Sequence, residues 1–398
     1  MKSILFKFSI YYCTALMCYG TTYGQTYVPA YGTVIGQSSS SNILASLTEF
    51  EALGVKRRGT TSLANTLTWI KNKYLSYGYT AGQIVEDSYT YSGSTATCKN
   101  LILTKIGTLY PNTYVIICGH YDSITGVGTN DNGSGTSILL ETARLLQNVS
   151  TEYSIKFINF SGEEDGLYGS QHYVSSVVNG TTPKMNIRLV LNIDEVGGVA
   201  GMTNNTITCE RDTGSPTTNN AASNTITNEL ITCVGLYSPL STYLSYAYAS
   251  DYMPFEDNNE IITGFFEKNE SPYRHTTNDL LVNMDPTYVY NIAKATVGAT
   301  MHFAKASTVL SNSDFANDFQ VSFFPNPTKE LLNINMGTLT DESYTFKLID
   351  LQGKTVFSKT VEQARQIEPI AINEFSKGMY LGVLETGSKR ITKKIVLN

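Results

Sequence analysis

Apolar residues recur near helical spacing at Leu63, Leu67, Ile70 and Tyr74, which predicts an amphipathic helix over residues 63–75. The period then shortens. Residues 100–104 and 114–118 are apolar runs of strand length, and the second stops directly at Gly119-His120. A helix is expected over 136–146, a strand over 154–160 that ends at Ser161-Gly162-Glu163-Glu164, and a helix over 169–178. Further strands are expected over 188–193, ending at Asp194, and over 261–266, followed shortly by His275; a long closing helix covers 286–305. Alternating strands and helices predict an α/β fold, a mixed central β-sheet flanked by helices.

Polar residues are concentrated between these runs in five segments: GHYDS at 119–123, TNDNGSG at 129–135, SGEEDGLYGS at 161–170, LNIDEVG at 191–197 and RHTTND at 274–279. Four of them follow an apolar strand at once or within a few residues, and ligands of open α/β sheets gather at the carboxyl ends of strands. The segment at 129–135 instead precedes a helix, in a loop able to fold back over the same edge. His120 and His275, far apart in sequence, are therefore expected to converge on one cleft.

After Lys305 the texture changes. Residues 307–319 are polar and without periodicity, and beyond them come FFPNPTKELLNI at 323–334 and FKLIDLQGKTV at 346–356, short alternating runs broken by Gly-Lys, Lys-Gly and Thr-Gly turns. They predict a small all-β sandwich without clustered chemistry. At the other end, Lys2 and Lys7 precede a short apolar stretch over 8–17, with Thr22-Tyr23-Gly24 as a cleavage site before Gln25. This reads as a secretory signal peptide, with lipid attachment at Cys18 the weaker alternative. The expected organisation is a signal over 1–24, a catalytic domain over 25–308, a linker over 309–318 and the β-sandwich over 319–398.

Composition removes some partners. A net charge of -6 leaves no basic surface for nucleic acid, and no segment of the mature chain is apolar enough to span a membrane. Cys98, Cys118, Cys209 and Cys233 stay after signal removal, with Cys209 and Cys233 flanking a Thr/Asn-rich loop; buried thiols and a disulfide stay equally open.

The five segments supply two of the chain's four histidines and several carboxylates, the donor mixture that zinc and neighbouring divalent ions take in catalytic sites. A two-metal hydrolase needs one carboxylate shared by both ions, further ligands for each, and a free carboxylate to take a proton from the attacking water. The adjacent pair Glu163 and Glu164 can divide ligand and base between them, because neighbouring side chains diverge at a strand end. His172 and His302 read as structural histidines.

The ordered set over residues 61–304 resembles the zinc aminopeptidase family that includes secreted bacterial leucyl aminopeptidases, together with its carboxypeptidase and glutaminyl-cyclase-like relatives. The resemblance implies a zinc exopeptidase-like fold and two divalent metal ions, zinc foremost. It makes Asp131 the bridging carboxylate, with Glu164 and His275 completing one ion and His120 and Asp194 the other. Glu163 becomes the general base, Asp122 the partner that orients His120, and Asp279 a similar support for His275. Two departures stand out. Asn130 replaces the first of two consecutive aspartates, which is expected to alter strain or electrostatics but not metal count. Ser250-Asp251-Tyr252 replaces a Ser-Asp-His, which bears on pocket shape. Tyr246 and Tyr248 are candidates for an oxyanion-stabilising or pocket tyrosine. The segment from about Asp318 resembles the sorting domain of the type IX secretion system, through Phe-Pro-Asn-Pro, Asp-x-x-Gly-Lys and Lys-Gly-x-Tyr. Together these imply a secreted or cell-surface metallo-aminopeptidase, exported through the periplasm by the type IX machinery, that acts on peptides with a free N-terminus. A carboxypeptidase, a glutaminyl cyclase or a non-catalytic binding protein are the alternatives.

Overall fold

The structure is a computed structural model that describes residues 25–90, 95–307, 321–336, 343–350, 353–363, 365–386 and 390–398. The expected signal peptide and linker lie outside these residues. Two compact units emerge: Met1–Leu145 with Tyr153–Lys305, and Leu146–Glu152 with Ala306–Asn398.

The first unit opens with helices α1 (Pro29–Ile35), α2 (Ser40–Ala52) and α3 (Thr61–Ser76). The Thr60 hydroxyl accepts the Leu63 N–H at 3.2 Å and caps α3, which buries Leu63, Leu67, Ile70 and Tyr74, the stripe expected from their spacing. Strands β1 (Ile84–Tyr89), β2 (Cys98–Lys105) and β3 (Tyr110–His120) follow, then α4 (Gly133–Leu146), β4 (Tyr153–Phe160), the short α5 (Tyr168–His172) and β5 (Asn186–Ile193). The helix expected over 169–178 is thus split: α5 passes into a π-helical turn, Tyr173–Val178. Next come β6 (Thr206–Arg211), α6 (Asn220–Tyr237), β7 (Ser241–Tyr246), α7 (Met253–Asp257), β8 (Ile262–Glu267) and α8 (Pro286–Phe303). Asp285 caps α8 by accepting the N–H groups of Thr287 and Tyr288, with Pro286 at the first helical position.

One eight-stranded sheet has the order β1-β2-β4-β3-β5-β8-β6-β7. Its middle strands β4, β3, β5 and β8 are mutually parallel, so their carboxyl ends share one edge. They are also its most buried: every residue from Val115 to His120 is inaccessible or nearly so, as apolar runs covered on both faces require. The chain leaves β3 for β4 on one side and then crosses to β5 on the other, which creates a topological switch at the end of β3.

The Thr/Asn-rich stretch between Cys209 and Cys233, expected as a loop, is mostly helix. α6 buries Ser223, Thr227, Leu230, Cys233, Val234 and Tyr237 despite weak helix formers among them. Its Thr227 hydroxyl bonds the Thr263 hydroxyl at 2.9 Å, and Tyr237 packs so closely on Gly298 of α8 that a Cβ there would lie 2.4 Å from the ring. Tertiary packing overrides local propensity here. The four cysteines are free and buried.

In the second unit, a three-stranded antiparallel sheet combines β9 (Ser322–Phe324), β10 (Leu331–Asn335) and β13 (Ile367–Ala371). A four-stranded antiparallel sheet combines β11 (Tyr344–Ile349), β12 (Thr355–Val361), β14 (Gly378–Thr386) and β15 (Arg390–Leu397). Leu332, Ile334 and Ile370 from the first sheet and Phe346, Leu348 and Leu384 from the second share one apolar core. The all-β expectation holds.

Candidate metal centre

The edge formed by the four parallel strands gathers the chemistry. β3 ends at His120. Three residues past β4 lies Glu163, β5 ends one residue before Asp194, and β8 leads through a loop to His275. The loop between β3 and α4 returns to this edge and delivers Asp131, whose peptide bond to Asn132 is cis. Gly128 in that loop has φ of 64°, and a Cβ on Gly135, in the first turn of α4, would stand 2.3 Å from the Ile193 carbonyl oxygen.

Two triads result. In the first, His120, Asp131 and Asp194 bring one donor atom each within 4.8 Å of one another; in the second, Asp131, Glu164 and His275 do the same. Asp131 belongs to both and uses a different oxygen for each. Its Oδ1 lies 3.1 Å from His120 Nε2, and its Oδ2 lies 3.1 Å from His275 Nε2. His120 Nε2 also faces Asp194 Oδ1 at 3.3 Å, and His275 Nε2 faces Glu164 Oε2 at 2.8 Å. Glu163 stands outside both triads, its Oε2 3.9 Å from His120 Nε2. The two adjacent glutamates therefore diverge.

The surrounding groups orient these side chains. His120 Nδ1 lies 3.3 Å from the main-chain carbonyl of Asp122 and 3.7 Å from its carboxylate, so the carbonyl is the nearer partner. The Asp122 carboxylate accepts the Glu163 N–H at 3.3 Å, which ties the loop after β4 to the loop after β3. Asp194 Oδ2 accepts the Ser250 hydroxyl at 2.6 Å, and Asn192 Nδ2 donates to that hydroxyl at 2.8 Å. Ser250 thus has a definite task, turning Asp194. Tyr252 is buried, and its hydroxyl donates to Glu210 at 2.6 Å.

The expected support of His275 by Asp279 is not what the structure contains. Asp279 accepts the N–H groups of Asn130 and Asp131 at 2.8 and 3.0 Å, so it holds the loop that carries Asp131. His275 is instead half exposed, with φ of 56° in the left-handed region, where a non-glycine backbone is strained. Tyr246 and Tyr248 are exposed by 59% and 78%, and the Tyr246 ring lies under the Arg211 guanidinium at 5.6 Å.

Acidic groups crowd this edge. Burial, reinforced by the Asp131 charge, lifts Glu164 to about 9, and burial drives Glu163 well above the usual carboxylate range. Burial also lifts Asp122 to about 6 and, with Asp131 and Asp194 nearby, Glu195 to about 10. Burial likewise disfavours the charged form of Asp131, yet hydrogen bonds from both histidines hold it well below the ordinary range. So many buried carboxylates around two imidazoles are costly without added positive charge, and the donor set of nitrogen and oxygen fits divalent ions.

Sequence reading did not single out Glu195, Glu267 or Lys56. Glu267 ends the apolar strand β8 as Asp194 follows β5, a signal open to the same argument. Lys56 lies in a basic Lys-Arg-Arg stretch that reads as surface. It is buried, with Nζ donating to the carbonyls of Gly54 and Val127 at 2.8 and 2.7 Å over the Phe50 ring.

Among known proteins, the model for peptidase family M28 matches residues 100–300, which contain both triads. The model for a secretion system C-terminal sorting domain matches residues 322–398. Aminopeptidase YwaD of Bacillus subtilis (strain 168) is 44% identical over 84 residues, 21% of this chain and 18% of that protein. A probable zinc metalloprotease of Pyrenophora teres f. teres is 31% identical over 193 residues, 42% of this chain and 39% of that protein. The chain thus spans less than half the length of these curated relatives. The LapA aminopeptidase of Legionella pneumophila has a similar structure, with a TM-score of 0.60 and 20% identity over 76% of this chain and 80% of that one. At that identity the likeness is one of fold. Among the described residues no helix is long and apolar enough to cross a membrane.

Proposed function

The chain belongs to peptidase family M28, and from that premise we propose that it is a secreted two-metal aminopeptidase with Glu163 as its general base. The carrying observation is Asp131, which turns one oxygen toward each histidine. His120 and Asp194 would hold one zinc ion, Glu164 and His275 the other, with Asp131 shared. When bound, such a pair polarises a scissile carbonyl and acidifies water.

The residues of the chain supply the rest. Glu163 reaches the first triad but belongs to neither, so its carboxylate is free to take the proton from the attacking water at Oε and return it to the leaving amine. The Asp122 carbonyl and carboxylate fix the ring of His120, and Ser250 fixes Asp194. The crowding that favours the protonated form of Glu163 in a metal-free site is relieved once cations occupy the triads, leaving Glu163 ionised and ready to act as a base. Phenylalanine at Tyr246 and Tyr248 tests whether either hydroxyl serves the oxyanion.

The name of YwaD and the family premise support a free N-terminus as the target. The test is a screen of unblocked aminoacyl amides on purified protein. Cleavage that disappears with chelator, returns with zinc and is suppressed by acetylating the substrate amine is expected. Efficient cleavage of acetylated peptides from their C-terminal end would instead favour a carboxypeptidase. The sorting domain supports export, and we assign its passage to the periplasm and the type IX machinery; the organisation into residues 25–308 and 319–398 is part of this reading.

A further inference from the structure

Among the segments that meet to form the two triads are the loop carrying Asp131, the turn after Asp194 and the loop that ends at His275. One buried carboxylate touches all three. Glu267, at the end of β8, accepts the Gly198 N–H through Oε2 at 2.7 Å and the Ser271 N–H through Oε1 at 2.6 Å. Both of its oxygens also lie 3.2 Å from Asn130 Nδ2. Its own N–H donates to the Glu195 carbonyl at 2.9 Å, beside Asp194.

Asn130 is the matching half of this arrangement. Its amide oxygen accepts the Gly197 N–H at 2.7 Å, its main-chain carbonyl accepts the Ser134 hydroxyl at 2.7 Å, and its N–H donates to Asp279. The side chain must donate on one side and accept on the other, which asparagine does and aspartate does not. An aspartate here would set carboxylate oxygens against those of Glu267, and the two could meet only by sharing a proton. The identity of residue 130 is therefore dictated by its partner on β8.

We propose that Glu267, acting through Asn130, is a positioning residue that registers the three ligand-bearing segments, so that both triads form together. Neither residue touches substrate, and the inference rests on the two-metal reading. The consequence is a reciprocal dependence: reversing donor and acceptor at one position should fail, while reversing both should restore the contact.

The test compares the full-length wild type with Glu267→Gln, Asn130→Asp and the double variant. Zinc affinity is measured by competition with a chromophoric chelator, cobalt-loaded protein is examined by absorption, and unfolding of the metal-free protein is followed separately. Each single variant is expected to weaken zinc binding about 10- to 100-fold, the range seen when partners of metal ligands are lost, and to perturb the cobalt bands. The double variant should recover most of the affinity, because the amide introduced on β8 donates to the carboxylate introduced on the loop that carries Asp131. One main-chain N–H remains unpaired, so recovery is partial. Wild-type affinity in both single variants, or a double variant no better than the worse single, overturns the proposal. If Glu267→Gln does not fold, Glu267→Asp takes its place, keeping the charge but withdrawing it by one methylene, and wild-type affinity there is equally fatal. Fewer than two zinc ions bound by the wild type would overturn the metal reading itself, an outcome the stoichiometry separates from failure of the positioning role alone.

Discussion

The two triads share a residue but differ in their surroundings. His120 is buried at the end of a central strand, its ring held between the Asp122 carbonyl and two carboxylates, with a side chain only 1% exposed. His275 lies on a loop with a strained backbone, and half of its side chain meets solvent. A ligand on a packed strand has lost its freedom before any ion arrives, whereas a ligand on an exposed loop must be ordered when the ion binds. The inner position should therefore hold its ion more firmly, while the outer one exchanges.

The severest challenge to this difference is Asp131→Ala, which should remove a ligand from both triads at once. Zinc content is expected to fall toward zero and activity to background, by elemental analysis and amide hydrolysis. Retention of one firmly held ion would mean that the triads are independent.

Glu163→Ala should reduce kcat by about 100- to 10,000-fold with two ions still bound, because a base that is not a ligand leaves metal affinity alone. Glu164→Ala should instead lose the outer ion. Loss of an ion in Glu163→Ala would reverse these roles.

The histidines sharpen the comparison directly. His275→Ala is expected to leave one tightly held ion and to lose the second at modest chelator concentrations, whereas His120→Ala should weaken the inner ion. Stepwise chelation of the wild type should remove one ion well before the other. A single step for both would erase the proposed inequality.

A smaller effect concerns the loop beside the outer triad, whose Val127 carbonyl is held by Lys56. Burial lowers the Lys56 ammonium from 10.5 to about 7. Between these values the unfolded chain holds a proton that the folded chain has released, so the contribution of Lys56 to stability rises with pH. Lys56→Met should remove this slope. From pH 7 to 9 the wild type should gain on the variant by up to about 1.4 kcal/mol per pH unit, measured by urea unfolding. A constant difference would show that the ammonium keeps its ordinary affinity for protons.

The smallest effect is expected from truncation after Ser313. No member of either triad lies beyond His275, so kcat/KM and zinc content should match those of the full chain. An inactive or unfolded product would make the C-terminal sheets part of the catalytic unit.

Much of this was open to reading along the chain. The strands ending at His120 and before Asp194 announce themselves because a buried parallel strand must be apolar and must stop where a polar group begins. The helix over Leu63, Leu67, Ile70 and Tyr74 follows from its stripe alone. Residue types and order also pointed to the candidate ligands, since imidazole and carboxylate at strand ends suit divalent ions. The tertiary structure decided what depends on distant partners. It made the Thr/Asn-rich segment a helix, because packing against α8 outweighs weak propensity. It turned Asp279 toward the main chain of the loop that carries Asp131, and it placed Glu267 among three segments whose donors come from residues 130, 198 and 271. Hydrophobic period is a local property and survives in the sequence. Which donor meets which acceptor across the end of a sheet is set only when the strands come together.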